Sequence, residues 1–485
     1  SPKKRAGFFY PVLRAASEGV YVADGNVLDH VRLFDHQGNY LRTVYPFPAD
    51  QIGKVEGLDK RTFRQDGKTL PLKKGMHQST LLTSGPNCDV STWQSVGYGR
   101  AIEGMAANNG RLALVKTRLN RLAADGSSGG LPLTGPLVRL ETKGLADSQD
   151  PRNPRSAGVS FEALSAVLSP DARWLYLAGY YYKFNDFRNG SEWMNGVWRM
   201  PYAENAEPKL FAGDDKQPGS KNGGAEAGQF RMATSVACDA TGRVYVGDYM
   251  NDRVQVFDAD GKHLKSIPVA KPAVVAVHQK TGDIYVFSWL LFSRMIPTDT
   301  LKVEATVTHL GPFDNPAVKG KYPLPFQGYN PTVSWNRAGG FQFRAELDSW
   351  ADKPTIWLVT GEGGGISYHD NGTISNVDAG GDAGVEVFEE SDGKLVPKRK
   401  FSADVAKAVV RITPPILWRQ RLYVNPKTGR LYVGEGDSGV MKSFMRLVEI
   451  DPGTGRARVV DLPFCAEDMA FDLDGYAYLR TDTEV

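Results

Sequence analysis

Three observations predict an all-β chain folded as a β-propeller of seven or eight four-stranded blades, with long loop insertions on one face. They are a recurring strand–turn–strand unit, a turn-rich composition, and insertions that fall on one side of the repeat. The clearest unit runs from Thr234 to Ile267 and reads as four short strands, a to d. Asp239…Gly242 and Asp258…Gly261 mark tight turns between a and b and between c and d. Asp hydrogen-bonds the backbone just ahead of it, and Gly accepts the positive φ such turns need. Val244–Val246 and Val254–Phe257 carry the β-branched and aromatic residues of strands.

The unit recurs. Gly19–Asp24 and Asp29–Val44 copy it closely. Shorter copies of the strand-b segment are Asn109–Val115, Asp171–Ala178, Thr281–Phe287, Thr355–Val359 and Thr428–Gly434, and a partial eighth starts at Asp472. A lone unit leaves both faces of its sheet exposed, so several must stack around an axis. The whole chain, 1–485, reads as one such domain. The partial last unit either is completed by the N-terminal strand or belongs to a longer chain continuing past Val485; the abrupt end favours continuation.

The Thr234–Ile267 unit resembles the NHL repeat, and the resemblance extends as a weaker pattern over the chain. It implies a propeller of the bacterial, secreted NHL type and leaves the activity open, because a fold of this kind hosts many functions.

Composition narrows the classes. With 52 glycines and 41% hydrophobic residues the chain is globular and turn-rich, not disordered. A net charge of +3 is too small to argue for nucleic acid or an anionic membrane as partner. RNA binding, known for some NHL domains, is disfavoured on that ground. The longest apolar runs, such as Ile284–Phe292, are strand-sized, so no transmembrane segment is expected. The N-terminus lacks an apolar leader, which fits either a removed signal peptide or a cytosolic chain; a secreted or periplasmic location is the expectation. Cys88, Cys238 and Cys465 are isolated, without CxxC or CxxCH, so zinc and haem are not expected. They read as small buried hydrophobes, with one disulfide possible. The Gly-rich Asp125–Gly130 lacks the following Lys-Ser/Thr of a phosphate loop, so no nucleotide is implied.

Long connections fall at Tyr45–Gly99, Glu141–Ser160, Phe211–Phe230, Gly311–Asn330 and Tyr180–Asn195. In a propeller the d-to-a and b-to-c connections emerge on the same face, so function is expected there. Strand b ends at comparable positions in each unit. The residues just beyond it are Asp24, Lys116, Tyr180 after Gly179, Asp248, Trp289 after Ser288, Glu362, Glu435 and Arg480. Crowded carboxylates repel unless a cation separates them. Asp24, Asp248, Glu362 and Glu435 are therefore candidate ligands for Ca²⁺, a hard cation that prefers oxygen. The competing reading of Asp248 is structural: with Asn251-Asp252-Arg253 it pins the b–c turn.

The run Tyr180-Tyr181-Tyr182-Lys183-Phe184-Asn185-Asp186-Phe187-Arg188 through Trp193 is the most ligand-like segment. Tyr180, Tyr182, Trp193 and Trp289 can stack on sugar rings while Asn185 and Asp186 hydrogen-bond; the alternative is an aromatic plug closing the funnel. Among the histidines, His36, His263 and His278 fall near short turns and read as surface. His77 and His369 sit in loops, His77 as a candidate base or metal ligand and His369 beside the ligand. Two functions follow. One is a glycan-binding or carbohydrate-active propeller, such as a metal-assisted polysaccharide lyase. Tyr181 or His77 would be its base, and Lys116, Arg188 or Arg294 its charge-neutralising cation. The other is a non-catalytic protein-binding or scaffold module of a larger surface protein.

Overall fold

The computed structural model describes residues 12–24, 30–45, 47–48, 50–58, 60–62, 64, 67, 69–71, 104–115, 118–138, 159–183, 192–215, 223–291, 301–327, 329–332, 343–360, 366–368, 374–377, 385–401, 419–435, 444–454 and 456–481. The chain divides into two compact units where one domain was expected. The larger comprises 7–364 and 380–402; the second comprises 1–6, 365–379 and 403–485.

The larger unit contains six four-stranded antiparallel meanders, each with strands in sequence order. Blade 1 is Val12–Ala16, Gly19–Asp24, His30–Phe34 and Tyr40–Tyr45; blade 2 is Gly104–Asn108, Arg111–Val115, Arg118–Ala123 and Thr134–Leu137. Blade 3 is Val159–Leu168, Trp174–Lys183, Gly196–Pro201 and Lys209–Gly213, with Glu192–Trp193 pairing back on its second strand. Blade 4 is Ala233–Cys238, Val244–Asp248, Arg253–Phe257 and His263–Pro268. Blade 5 is Pro272–Val277, Ile284–Ser288, Thr306–Leu310 and Val318–Pro323; blade 6 is Arg344–Leu347, Thr355–Val359, Val385–Ser391 and Lys394–Lys400.

These six sheets close a ring. A hydrophobic core fills every junction between neighbours. Tyr21 and Leu33 meet Met105 and Leu112 between blades 1 and 2, and Val115 and Leu119 meet Leu175 between 2 and 3. Tyr176 and Val197 meet Val236 between 3 and 4, and Tyr245 meets Val275 and Val286 between 4 and 5. Phe287 and Val307 meet Ile356 and Leu358 between 5 and 6, and Trp357 and Val385 meet Val20 and Phe34 between 6 and 1. Both faces of the inner strands are thus covered, which is why Val244–Asp248 is buried throughout instead of alternating.

Polar bonds run around the same circuit. Arg14 Nε donates to the Met105 carbonyl at 2.8 Å, and Asn108 Nδ2 to the Ser169 carbonyl at 2.9 Å. Ser165 Oγ accepts from Val236 N and Ser235 Oγ from Val275 N, both at 3.0 Å. Gln279 N donates to the Ser349 carbonyl at 2.9 Å, and Glu346 Oε1 accepts from Ala15 N at 2.9 Å. Each bond joins one blade to the next, so polar groups of strand a and of the a–b turns find partners across blade boundaries.

The second unit holds the seventh four-stranded meander, Arg419–Val424, Leu431–Glu435, Phe444–Ile450 and Ala457–Ala466. A two-stranded sheet, Asp468–Phe471 with Ala477–Arg480, is the partial eighth repeat, and Ile366–Tyr368 pairs with Ile374–Val377. Among the described residues there are therefore seven such meanders, as the repeat implies, and six of them complete one ring. The strand Val12–Ala16 is strand a of blade 1, paired with Gly19–Ala23.

The a–b turns of the ring are short, the longest being 348–354. Long connections occur between b and c at 184–195, 289–305 and 360–384, and between d and a at 46–103, 138–158, 214–232 and 324–343. The longest connections are of the b–c and d–a kinds, as expected, while on the other face the c–d connection of blade 2, 124–133, is also extended. One boundary moves: Gly311–Asn330 contains strand d of blade 5, so it is not a single d–a loop. The turn chemistry is as read. Asp239 Oδ1 accepts from Thr241 N and Arg243 N at 2.9 and 3.1 Å, and Gly242 has φ +91°.

Cys238 is a buried free thiol whose pKa burial pushes up. Cys465 is also free but exposed, so it is not the small buried hydrophobe expected; Cys88 lies outside the described residues.

Candidate functional site

The register argument for the strand-b ends holds in three blades. Asp24, Asp248 and Ser288 are each the last residue of strand b, opposite the first residue of strand c: His30, Arg253 and Thr306. In blade 3 strand b instead runs on to Lys183, past Gly179, because the Tyr180–Lys183 stretch keeps pairing with strand a. Glu435 ends the equivalent strand in the second unit, opposite Arg446. Lys116, Glu362, His77, His369, Asn185, Asp186, Arg188 and Arg294 lie outside the described residues, as do the side chains of Asp24, Tyr181, Tyr182 and Glu435.

Asp248 has no exposed surface, and its carboxylate is saturated by the protein. Oδ1 accepts from Arg231 N at 2.8 Å and from Asn251 Nδ2 at 3.0 Å. Oδ2 accepts from Arg253 Nε at 2.7 Å and Gln255 Nε2 at 3.1 Å. Burial pushes its pKa up, and these donors oppose the shift. The donors in turn hold the d–a connection before blade 4: Arg253 Nη2 reaches the Glu226 and Gln229 carbonyls, and Asn251 the Gly224 carbonyl. Asp248 is thus a turn and loop anchor, and the metal-ligand expectation gives way there because no lone pair is left for a cation. Among the described residues no group of three or more His, Cys, Asp or Glu is arranged to hold a metal.

The aromatic expectation also changes. Tyr180, Trp193 and Trp289 are 2%, 3% and 3% exposed and belong to one apolar cluster with Tyr249, Phe326 and Phe343. Tyr180 meets Trp193 edge to face at 5.7 Å, and Trp289 meets Phe326 edge to face at 5.5 Å. Tyr249 Oη donates to the Trp289 carbonyl at 3.0 Å. These rings are buried in the same apolar cluster that fills the junction between blades 5 and 6, and they spend their faces on one another instead of standing exposed as sugar platforms.

Other polar groups were not legible in advance. His278 is buried instead of exposed; its Nε2 meets the Ala351 carbonyl at 2.9 Å and ties blade 5 to blade 6. His36 Nδ1 lies 2.8 Å from Oδ2 of the fully buried Asp348, bridging blades 1 and 6. His309, stacked at 4.3 Å on Tyr285, faces Asp283 at 3.1 Å and Glu390 at 3.0 Å. A lone histidine on a strand carries no sequence signal for such partners, which come from separate turns and another blade. Arg118 and Arg121 line a cleft of about 510 Å³ along strands c and d of blade 2, facing the c–d turn of blade 3. Arginine on a strand reads simply as a solvated face.

No family model matches this chain, and no curated protein does. Solved structures similar to it include the β-propeller domain of Swd1 from Myceliophteria thermophila, 11% identical over 95% of this chain and 98% of that one, TM-score 0.35. Hydrazine synthase of Kuenenia stuttgartiensis is 10% identical over 78% of this chain and 92% of that one, TM-score 0.32. Streptogramin B lyase is 10% identical over 78% and 89%, TM-score 0.29. The propeller assignment rests on the strand order and the six junction cores described above, and no helix among the described residues is long and apolar enough to cross a membrane.

Proposed function

We propose that the chain is a non-catalytic, NHL-type propeller scaffold that binds a protein partner through the loops of its embellished face. The carrying observation is the fate of the expected funnel residues. Tyr180, Trp193 and Trp289 are buried in a junction core, and Asp248 anchors a loop, so none of them is offered to a ligand. A rigid ring whose long connections leave from the b–c and d–a positions suits display of loops. The test places a photo-crosslinker at Asn185, within the b–c connection of blade 3 in sequence, or at Asp260, in the exposed c–d turn of blade 4. A native partner that crosslinks from Asn185 and not from Asp260 fits the proposal; equal labelling from both sites contradicts it.

A second reading keeps the glycan. The loop composition at Asn185, Asp186 and Arg188 supports a secreted carbohydrate-binding or lyase role, with Asp24 and Glu362 as Ca²⁺ ligands and with Tyr181 or His77 as base. Incubation with polyuronates and Ca²⁺, followed by ultraviolet detection of unsaturated uronate ends, separates the readings. Product formation that Tyr181→Phe or His77→Ala abolishes would replace the scaffold with the lyase.

A further inference from the structure

The cleft between blades 2 and 3 combines a cavity with a buried, uncompensated cation. Arg121 is 2% exposed. Its guanidinium donates to three backbone carbonyls: Nε to Tyr202 at 2.7 Å, Nη2 to Glu204 at 2.8 Å and Nη1 to Pro132 at 3.3 Å. None of these partners carries a charge, so the group is oriented without being neutralised. A guanidinium has five N–H donors, so three such bonds leave two unspent. Burying a cation without a counter-charge is costly, and an anion arriving from solvent repays that cost.

The cleft wall fits this role. Gly135 lies against both the paired strand and the guanidinium; a Cβ there would stand 2.9 Å from the Leu119 carbonyl oxygen, 3.0 Å from Arg121 Cζ and 3.1 Å from Nη2. A side chain at this position would press on the strand backbone and on the fork alike. Half-buried Arg118 lines the same cleft and donates through Nη1 to the Gly135 carbonyl at 3.3 Å. Asn205 and Glu207, from the blade 3 turn, complete the opposite side. The volume, about 510 Å³, falls within the range of small-molecule sites, roughly 300–1,000 Å³.

The geometry points to a binding site for a small molecule bearing a compact oxyanion, a carboxylate or a phosphate, received by Arg121 and Arg118 with Glu207 at the rim. Arginine is suited to both groups because its planar fork presents parallel donors. This inference does not depend on the scaffold reading.

The test uses the full chain at constant ionic strength. Inorganic phosphate and glucuronate are titrated separately by calorimetry, with chloride as the control. One or both should bind saturably, and which one binds identifies the source of the oxyanion. Arg118→Gln should weaken that binding roughly tenfold or more, the usual loss for a charge-assisted hydrogen bond. Gly135→Ala, which leaves every charge in place, should weaken it as well. Glu207→Gln should tighten it by removing repulsion at the rim. Circular dichroism confirms that each variant is folded. The inference is overturned if neither probe binds saturably to the wild type, or if binding survives unchanged in folded Arg118→Gln and Gly135→Ala.

Discussion

Asp239 in the ring and Asp472 in the second unit head the same turn: Asp, two residues, Gly, and a tyrosine six positions after the Asp. Both carboxylates accept a backbone N–H four residues on, from Arg243 at 3.1 Å and Tyr476 at 2.9 Å. Both accept the tyrosine hydroxyl, Tyr245 at 2.9 Å and Tyr478 at 3.1 Å. Yet Tyr245 is fully buried, and Tyr478 is 52% exposed. Equal turns in unequal surroundings separate what the motif does from what the ring does. The motif closes a hairpin. Neighbouring blades turn that hairpin into core.

The comparison breaks most visibly at large side chains. Trp357, with no exposed surface, fills the junction between blades 6 and 1. Trp357→Ala should cost about 3–5 kcal/mol. Tyr478→Ala in the second unit should cost under about 0.5 kcal/mol. Urea unfolding followed by hydrogen exchange resolves the two regions, and comparable losses would erase the distinction.

A smaller contrast lies in the turn acids themselves. Asp239→Ala strands Arg243 and the buried Tyr245 hydroxyl and should cost about 3 kcal/mol. Asp472→Ala, whose partners reach water, should cost about 1 kcal/mol or less. The same exchange experiment reads both.

Acid titration sharpens the comparison through opposite signs. In the second unit, Arg458 leads Tyr432 and Arg430 in holding the Glu449 carboxyl down, from an ordinary 4.5 to about 2. A lowered carboxyl contributes stability that is full above its unfolded pKa and fades as the pH falls from about 4.5 toward 2. In the ring, burial pushes Glu346 upward, against Arg14 and the Ala15 amide. A raised carboxyl contributes in the other direction: its term is present below the unfolded pKa and is lost as the pH climbs through the folded value. Glu449→Gln should therefore flatten the acid-side loss of protection in the second unit. Glu346→Gln should remove a term of opposite slope from the ring. Exchange rates recorded as the pH falls from about 4.5 toward 2 test the Glu449 slope, and rates recorded as it climbs above 4.5 test the Glu346 slope; matching slopes in the two variants would refute the assignment.

The smallest effect should be the same in both places. Gly242 and Gly429 have φ of +91° and +69°, and a Cβ at either would meet nothing within 4 Å. Alanine at each should cost about 1 kcal/mol from backbone strain alone. Unequal costs would mean that surroundings reach even these open turns.

Much of the architecture was legible because it is local. The Asp…Gly turns, the β-branched strands b and c, and the long b–c and d–a insertions are all properties of a single unit, repeated. The register of Asp24, Asp248 and Ser288 followed from the same repetition. Side-chain roles were harder to read. Tyr180, Trp193 and Trp289 look alike in sequence whether exposed to a ligand or packed in a core, and only their packing with Tyr249 and Phe326 shows them buried. Asp248 is an acid at a strand end whether it binds metal or pins a loop; the donors from Arg231, Asn251, Arg253 and Gln255 decide.

The sequence by itself determined the four-strand unit, its turn chemistry and the connections at which the chain is most elaborated, because each depends on residues a few positions apart. Tertiary structure alone decided that six units close a ring, through Trp357 against Phe34 and Glu346 beside Arg14. It also decided that Arg121 lies buried beside a cleft with only carbonyls for company. The physical reason is one of range. A turn is satisfied by its own backbone, whereas a ring junction or a buried cation is defined by partners dozens or hundreds of residues away.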